Sequence, residues 1–251
     1  MPGEYYLQQL RCHADAIDMD FWRAPEGVSV PDDELRFLLV PDAVEAAAVS
    51  DVAGQVQEYQ QLNDATPEQI GCALIVTMGG MLPGILLHDH LVHGAAPGLP
   101  RIDFGTVGVS LYREPGVRYD TPRIAQAIST PVHGRTVLLI DDLLDTGATV
   151  KFLRQHLQGA GAHHTLVLAL YVKPAAKAGG GAEFFFGELD QDTWIITPRE
   201  QVETLVKRVP VWRERGASEA ECRHRLVATI GYPEALVDTY LPRAFGLPRS
   251  G

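Results

Sequence analysis

Three carboxylates within five residues, Asp141, Asp142 and Asp145, follow directly on the aliphatic run Val137-Leu138-Leu139-Ile140 and lead into Thr146-Gly147-Ala148-Thr149. A four-residue aliphatic stretch of this kind reads as a buried parallel strand, and the small residues after it read as a loop opening a helix from about Val150 to Leu157. Acid groups at such a strand end can hold sugar hydroxyls or a hydrated divalent metal, while loop amides and the helix dipole can hold a phosphate. One loop would therefore suit a phosphorylated sugar. Two other readings of the same residues compete. Asp145 or Thr146 could simply cap the helix. Asp141, Asp142 and Asp145 also spell DDxxD, the pattern of prenyl-diphosphate enzymes, but that chemistry needs the acids on one long helix. Here a β-type run precedes them and Gly147 interrupts the residues beyond.

The segment resembles the 5-phosphoribosyl-1-diphosphate (PRPP) motif of type I phosphoribosyltransferases: hydrophobic strand, two acids, two spacers, Asp-Thr-Gly-x-Thr. The similarity continues along the chain. Leu74 to Gly84, with Met78, Gly79 and Gly80 at its centre, is similar to the first active-site loop of 6-oxopurine phosphoribosyltransferases. Val109-Ser110-Leu111-Tyr112 resembles the strand end that opens their flexible loop, and Tyr171-Val172-Lys173-Pro174-Ala175 resembles the strand whose lysine reads the purine carbonyl. Gln191-Asp192-Thr193-Trp194-Ile195 resembles the base-stacking segment of bacterial xanthine-guanine phosphoribosyltransferase. The blocks span roughly residues 70 to 200.

This resemblance implies a transfer of 5-phosphoribose from PRPP to a purine or purine-like base, a 6-oxopurine or a deazapurine, giving a nucleoside 5′-monophosphate and pyrophosphate. Mg²⁺ is the implied cofactor. By the same analogy Asp145 is the general acid/base beside the base, and Asp141 and Asp142 hold ribose hydroxyls or metal-bound waters. Thr146, Gly147, Ala148 and Thr149 cradle the 5′-phosphate, and the loop of Met78, Gly79 and Gly80 meets the pyrophosphate. Lys173, Trp194 and Ile195 bind the base, and Ser110 and Tyr112 begin the lid. Where the family usually carries a Lys or Arg, this chain has Met78, which offers neither a charge nor a donor; Arg113, Arg118 or a residue of another subunit would have to compensate. The alternative function is a non-catalytic regulator that senses PRPP.

Read without the resemblance, several of these residues keep a physical sense. Gly79 and Gly80 allow close backbone approach to a diphosphate. Trp194 offers a flat face on which a base can stack, worth roughly 1–3 kcal/mol. Lys173, coming straight after a largely aliphatic run, would be an odd choice at a buried strand end without a polar partner.

The elements that must position these groups emerge from the pattern of the chain. Aliphatic strands alternate with helices: strands at Leu35–Val40, Cys72–Thr77, Val107–Tyr112, Val137–Ile140, His164–Val172 and Glu183–Leu189, with helices at Ala43–Leu62 and about Leu82–His93. That alternation predicts an α/β fold, a central mainly parallel sheet flanked by helices. Thr66 to Gln69 reads as a cap entering a short helical turn. Arg113 to His133, rich in proline and polar residues, reads as a lid or a pair of hairpin strands. The expected organisation is an N-terminal helical or hood segment at 1–69, with an amphipathic helix from Glu4 to Trp22, a phosphoribosyltransferase core at 70–200, and a small helical C-terminal unit at 201–251. In that last unit Ser218 and Glu221 have the spacing of a capping box.

At 251 residues, 46% hydrophobic and 21% charged, the composition is that of a folded enzyme and excludes wholesale disorder. A net charge of −11 argues against nonspecific nucleic-acid binding, which needs basic surface. No apolar run is long enough to span a bilayer and the first residues have no signal-peptide character, so a cytoplasmic protein without a membrane partner is expected. Cys12, Cys72 and Cys222 lack metal spacing and read as reduced, structural thiols. His88, His90 and His93 do not share one helix face and are poor metal candidates. Family analogy adds a homo-oligomer, a dimer or tetramer.

Overall fold

A computed structural model of the chain describes residues 27–114 and 117–246, and for 111–114 and 117–121 the backbone alone. The expected helix from Glu4 to Trp22 and Cys12 lie outside the described residues. The chain divides into two compact units, one holding residues 46–191 and the other 27–45 with 192–246.

The larger unit is built on a six-stranded sheet in the order β5-β4-β3-β6-β7-β8. Its strands are β3 (Ile70–Val76), β4 (Asp103–Glu114), β5 (Val117–Gln126), β6 (Thr136–Leu144), β7 (His164–Val172) and β8 (Phe184–Glu188). All neighbours pair in parallel except β4 and β5, which form an antiparallel hairpin. The hairpin strands that the sequence allows after Arg113 are thus present. Helices α1 (Asp42–Leu62), α2 (Met81–His88), α3 (Ala148–Gly159) and the short α4 (Pro174–Ala178) accompany these strands, and α2 continues as a π turn over Asp89–His93. The unit boundary falls inside α1.

Residues of β3, β6 and β7 are buried almost without interruption, as expected of strands covered on both faces. Leu74, Val137, Leu139, Val167 and Ala169 join Val150, Leu153 and Leu157 of α3 in one apolar cluster. Cys72 belongs to it, and burial pushes its thiol up to about 11, so it stays protonated and unreactive at neutral pH. Thr66–Gln69 forms turns and no helix. Its residues are tied sideways instead: the Pro67 carbonyl accepts from Thr136 Oγ1, and Glu68 accepts from His163 and His164.

The smaller unit pairs β1 (Val28–Ser29), β2 (Arg36–Leu39) and β9 (Thr193–Ile196) in a three-stranded sheet, with β2 and β9 parallel. Helices α5 (Gln201–Glu214), α6 (Glu219–His224), a following π segment (Arg225–Ile230) and α7 (Glu234–Gly246) complete it. The capping box forms as its spacing predicts, with the Glu221 amide donating to Ser218 Oγ and the Ser218 amide donating to the Glu221 carboxylate. Gly231, at φ +94°, stops the π segment. Sequence patterning missed β9, whose four residues are too few to show a period. Phe37, Leu205, Val209, Trp212, Leu226 and Val237 form the core, with Phe37 meeting the Trp212 ring edge-on at 5.8 Å.

One buried charge organises this unit. The Asp33 side chain is fully buried and accepts from Arg208 Nη2 at 2.6 Å, from Trp212 Nε1 at 2.6 Å and from the Leu35 amide at 3.1 Å. Burial alone would raise its pKa, but the bonds from Arg208, Trp212 and Leu35 outweigh it and hold the carboxyl below its ordinary value. A depressed folded-state pKa contributes stability that is complete above the unfolded value, about 3.9, and is lost as pH falls through the folded value. Asp33→Asn is therefore expected to cost about 3–5 kcal/mol at pH 7, because it strands a buried guanidinium. The gap between variant and parent should narrow below about pH 4. Urea titrations at pH 7 and pH 3 measure both; equal stability at pH 7 would remove Asp33 from this role.

Candidate active site

Strand β6 does not end where its aliphatic run ends. It pairs with β3 only as far as Ile140, yet stays in register with β7 to Leu144, so Asp141 and Asp142 lie within a strand whose β3 side has run out. Neither carboxylate sits on a helix, which excludes the DDxxD reading. Asp142 is buried and Asp141 half-buried. Each folds back on the next amide: the Asp142 N–H donates to Asp141 Oδ1 at 3.1 Å, and the Leu143 N–H donates to Asp142 Oδ1 at 2.8 Å.

The loop after β3 crosses directly over these acids. A Cβ placed on Gly79 would come within 2.5 Å of Asp141 Oδ1 and 2.6 Å of Asp142 Oδ1. One on Gly80 would collide with the Ile140 carbonyl oxygen and lie 3.0 Å from that of Val76. Both glycines are therefore required for contact rather than for an unusual backbone angle; Gly80 has ordinary helical angles. The unusual angle belongs to Met78, a non-glycine residue at φ +75° whose side chain is 69% exposed. A left-handed conformation costs an L-residue about 1–2 kcal/mol, and such strain gathers where a ligand is bound. Within this loop the Thr77 amide donates to Val107 O and the Gly80 amide to Val76 O. Among the described residues, the N–H groups of Met78 and Gly79 have no acceptor. Successive unsatisfied amides beside a left-handed residue form a concavity that attracts anions.

On the other side of β6 the chain bends through Asp145, Thr146 and Gly147 into α3. Gly147, at φ +74°, is the N-cap, and the first helical bond runs from the Lys151 amide to its carbonyl. Side-chain capping of the first turn is weak, a long contact from the Ala148 amide to Thr146 Oγ1 at 3.4 Å. Thr146 and Ala148 are exposed and Thr149 is half-buried, and the first N–H groups of a helix have no acceptor within it.

Lys173, at the end of β7, is 9% exposed, and its Nζ lies 3.0 Å from Asp145 Oδ1. The partner that a buried lysine requires is thus the very acid whose spacing made it a candidate. Gln191 joins them: its Nε2 donates to Asp145 Oδ1 at 3.3 Å, and its carbonyl accepts from Lys173 Nζ at 3.3 Å. Gln191 opens the segment that resembles the family's, but nothing in its local pattern marks it further, because its partners are 18 and 46 positions away.

The structure thus brings together Met78, Gly79, Gly80, Asp141, Asp142, Asp145, Thr146–Thr149 and Lys173 at one end of the larger sheet. Ser110 lies half-buried on β4, paired across the hairpin with Arg123, and Tyr112 lies opposite Arg118. The side chains of Tyr112, Arg113 and Arg118 are outside the described residues. Trp194 and Ile195 lie on β9 in the other unit. Ile195 is buried, and the half-buried Trp194 donates its indole N–H to Thr204 Oγ1 at 3.0 Å; their assignment to a base rests on the resemblance alone. His88 packs its ring against His93 and Phe104, and His90 meets Ser50. Among the described residues no cluster of three or more His, Cys, Asp or Glu could hold a metal. Two converging carboxylates still fit Mg²⁺, which commonly takes one or two carboxylates and completes its shell with water and substrate phosphate. No helix among the described residues is long and apolar enough to cross a membrane.

No family model matches the chain. It is 30% identical over 131 residues to the xanthine-guanine phosphoribosyltransferase of Idiomarina loihiensis, covering 52% of this chain and 71% of that one. It is 28% identical over 141 residues to the enzyme of the same name from Gluconobacter oxydans, covering 56% and 74%. The fold is similar to that of a purine phosphoribosyltransferase from Pyrococcus horikoshii, with a TM-score of 0.51 at 20% identity over 64% of this chain and 92% of that one. The chain belongs to the type I phosphoribosyltransferases, close to the 6-oxopurine enzymes.

The close passage of the 77–80 loop over β6 yields a direct test. Gly80→Ala is expected to destabilise the protein by about 1–3 kcal/mol, because the carbonyls it would strike are strand backbone and cannot move aside. Chemical denaturation measures this, and an unchanged midpoint would show the loop to be further from β6 than described.

Proposed function

We propose that the chain transfers the 5-phosphoribosyl group of PRPP to a ring nitrogen of a purine-type base, releasing pyrophosphate. The observation that carries this reading is the convergence, at one sheet end, of an acid pair, an amide-lined loop and an acid tied to a lysine. The names borne by its relatives agree with it.

In the reaction the bond from the anomeric carbon to the diphosphate oxygen breaks, and positive charge builds on the ribose as it does in glycoside hydrolysis. The ring nitrogen bonds to that carbon, and its proton passes to Asp145. The Met78 and Gly79 amides would meet the departing diphosphate; Gly80, whose amide is already used, would serve to bring the loop close. Asp141 and Asp142 would hold the ribose hydroxyls and, with substrate oxygens, Mg²⁺. That ion, when bound, neutralises charge developing on the leaving group. The 5′-phosphate would rest on the first-turn amides of α3 with the Thr146 and Thr149 hydroxyls. Lys173 would turn from Asp145 toward an exocyclic carbonyl of the base, exchanging one polar partner for another. The β4–β5 hairpin, with Ser110 and Tyr112, would shield the reacting centre from water.

Two outcomes test this. Asp145→Asn should retain PRPP binding by calorimetry and lose turnover about 10²–10⁴-fold in a pyrophosphate-release assay; full turnover would take Asp145 out of the chemistry. Met78→Lys should lower the KM for PRPP about tenfold, the value of one charge-assisted hydrogen bond, whereas an unchanged KM would mean that this loop does not face the diphosphate.

A further inference from the structure

We propose that Gln191 is a positioning residue for the proton-accepting carboxylate: it holds Asp145 by one oxygen and leaves the other for the base. The proposal rests on the transfer reading above. Asp145 stands on a bend, in neither strand nor helix, and its side chain is 56% exposed, so packing does not fix it. What fixes it is a pair of donors converging on Oδ1, Lys173 Nζ at 3.0 Å and Gln191 Nε2 at 3.3 Å. Among the described residues Oδ2 makes no hydrogen bond.

The orientation of the Gln191 amide is not arbitrary. Its Oε1 accepts from the Ala175 amide at 3.2 Å, and a backbone N–H can only donate. The oxygen must therefore face Ala175, which turns the NH₂ toward Asp145. Gln191 thus reads a donor on one side and an acceptor on the other, while its own carbonyl accepts from Lys173. Neither Glu nor Met can do all three. A carboxylate ordered before the base arrives needs less rearrangement when the proton moves, and misplacing such a group by about 1 Å can cost about 100-fold in rate.

A mere staple between Ala175 and the turn at Gln191 would use the same residue differently, and two variants separate the roles. In Gln191→Glu the side chain still accepts from Ala175 and the carbonyl still accepts from Lys173, but a negative charge replaces the donor beside Asp145 and competes for Lys173. Gln191→Met keeps the bulk and loses both side-chain bonds. A staple predicts that Met is the more harmful change; positioning of Asp145 predicts that Glu is. With PRPP and a purine that the parent accepts, we expect kcat to fall about tenfold in Gln191→Met and about 100-fold in Gln191→Glu, with the KM for PRPP and the thermal midpoints near those of the parent. Gln191→Glu as active as Gln191→Met or more so, or a loss expressed in the KM for PRPP, would overturn the positioning role while leaving the transfer reading intact. A parent protein that releases no pyrophosphate with any purine would overturn the transfer reading, and the role of Gln191 with it.

Discussion

Strand β6 outlasts β3. The two run side by side to Ile140, after which β6 continues to Leu144 against β7 alone. This difference in length creates a step at the end of the sheet, and the candidate site residues are arranged on that step. The bared part of β6 carries Asp141 and Asp142, and the chain leaving β3 fills the step as the loop of Thr77 to Gly80. It can do so only because Gly79 leaves room for the two carboxylates and Gly80 lets backbone lie on backbone. Asp145 comes at the first bend beyond the strand, where it meets Lys173 at the end of β7.

The same step accounts for the distribution of charge. A chain with net charge −11 would repel an anionic sugar diphosphate over most of its surface. At the step, two carboxylates turn back on neighbouring amides and a third is matched by a lysine. The loop and helix amides left over present local positive potential with no formal charge. Met78, left-handed at φ +75° and exposed, adds no charge to this loop, so its own positive potential comes from its amides. The smaller unit is held by a different logic, a fully buried Asp33 satisfied by Arg208, Trp212 and Leu35. There the bonded charge fixes a core rather than a ligand.

Much of this was legible in the order of residues. His164–Val172 reads as a strand from its apolar run beginning at Leu166 and is one from first residue to last. The Ser218/Glu221 capping box depends on side chains within a few positions of each other, and it forms. Where expectation failed, longer-range contacts decided. Thr66–Gln69 has the composition of a helix start, but the bonds of Pro67 and Glu68 to Thr136, His163 and His164 keep it as turns. The helix expected to His93 does end there, α-helical to His88 and then widened into a π turn.

The sequence by itself determined the alternation of buried strands with helices, the Asp-Thr-Gly-x-Thr bend and the glycines before α2, because period, capping and conformational freedom act over a few residues. Only the tertiary structure decided that β6 runs on through its two aspartates, that the Gly80 amide is already occupied, and that Asp145, Lys173 and Gln191 share one network. Those outcomes depend on which strand ends beside which and on donors and acceptors separated by tens of residues. Local pattern carries no record of such distances; they exist only once the sheet has brought the strand ends together.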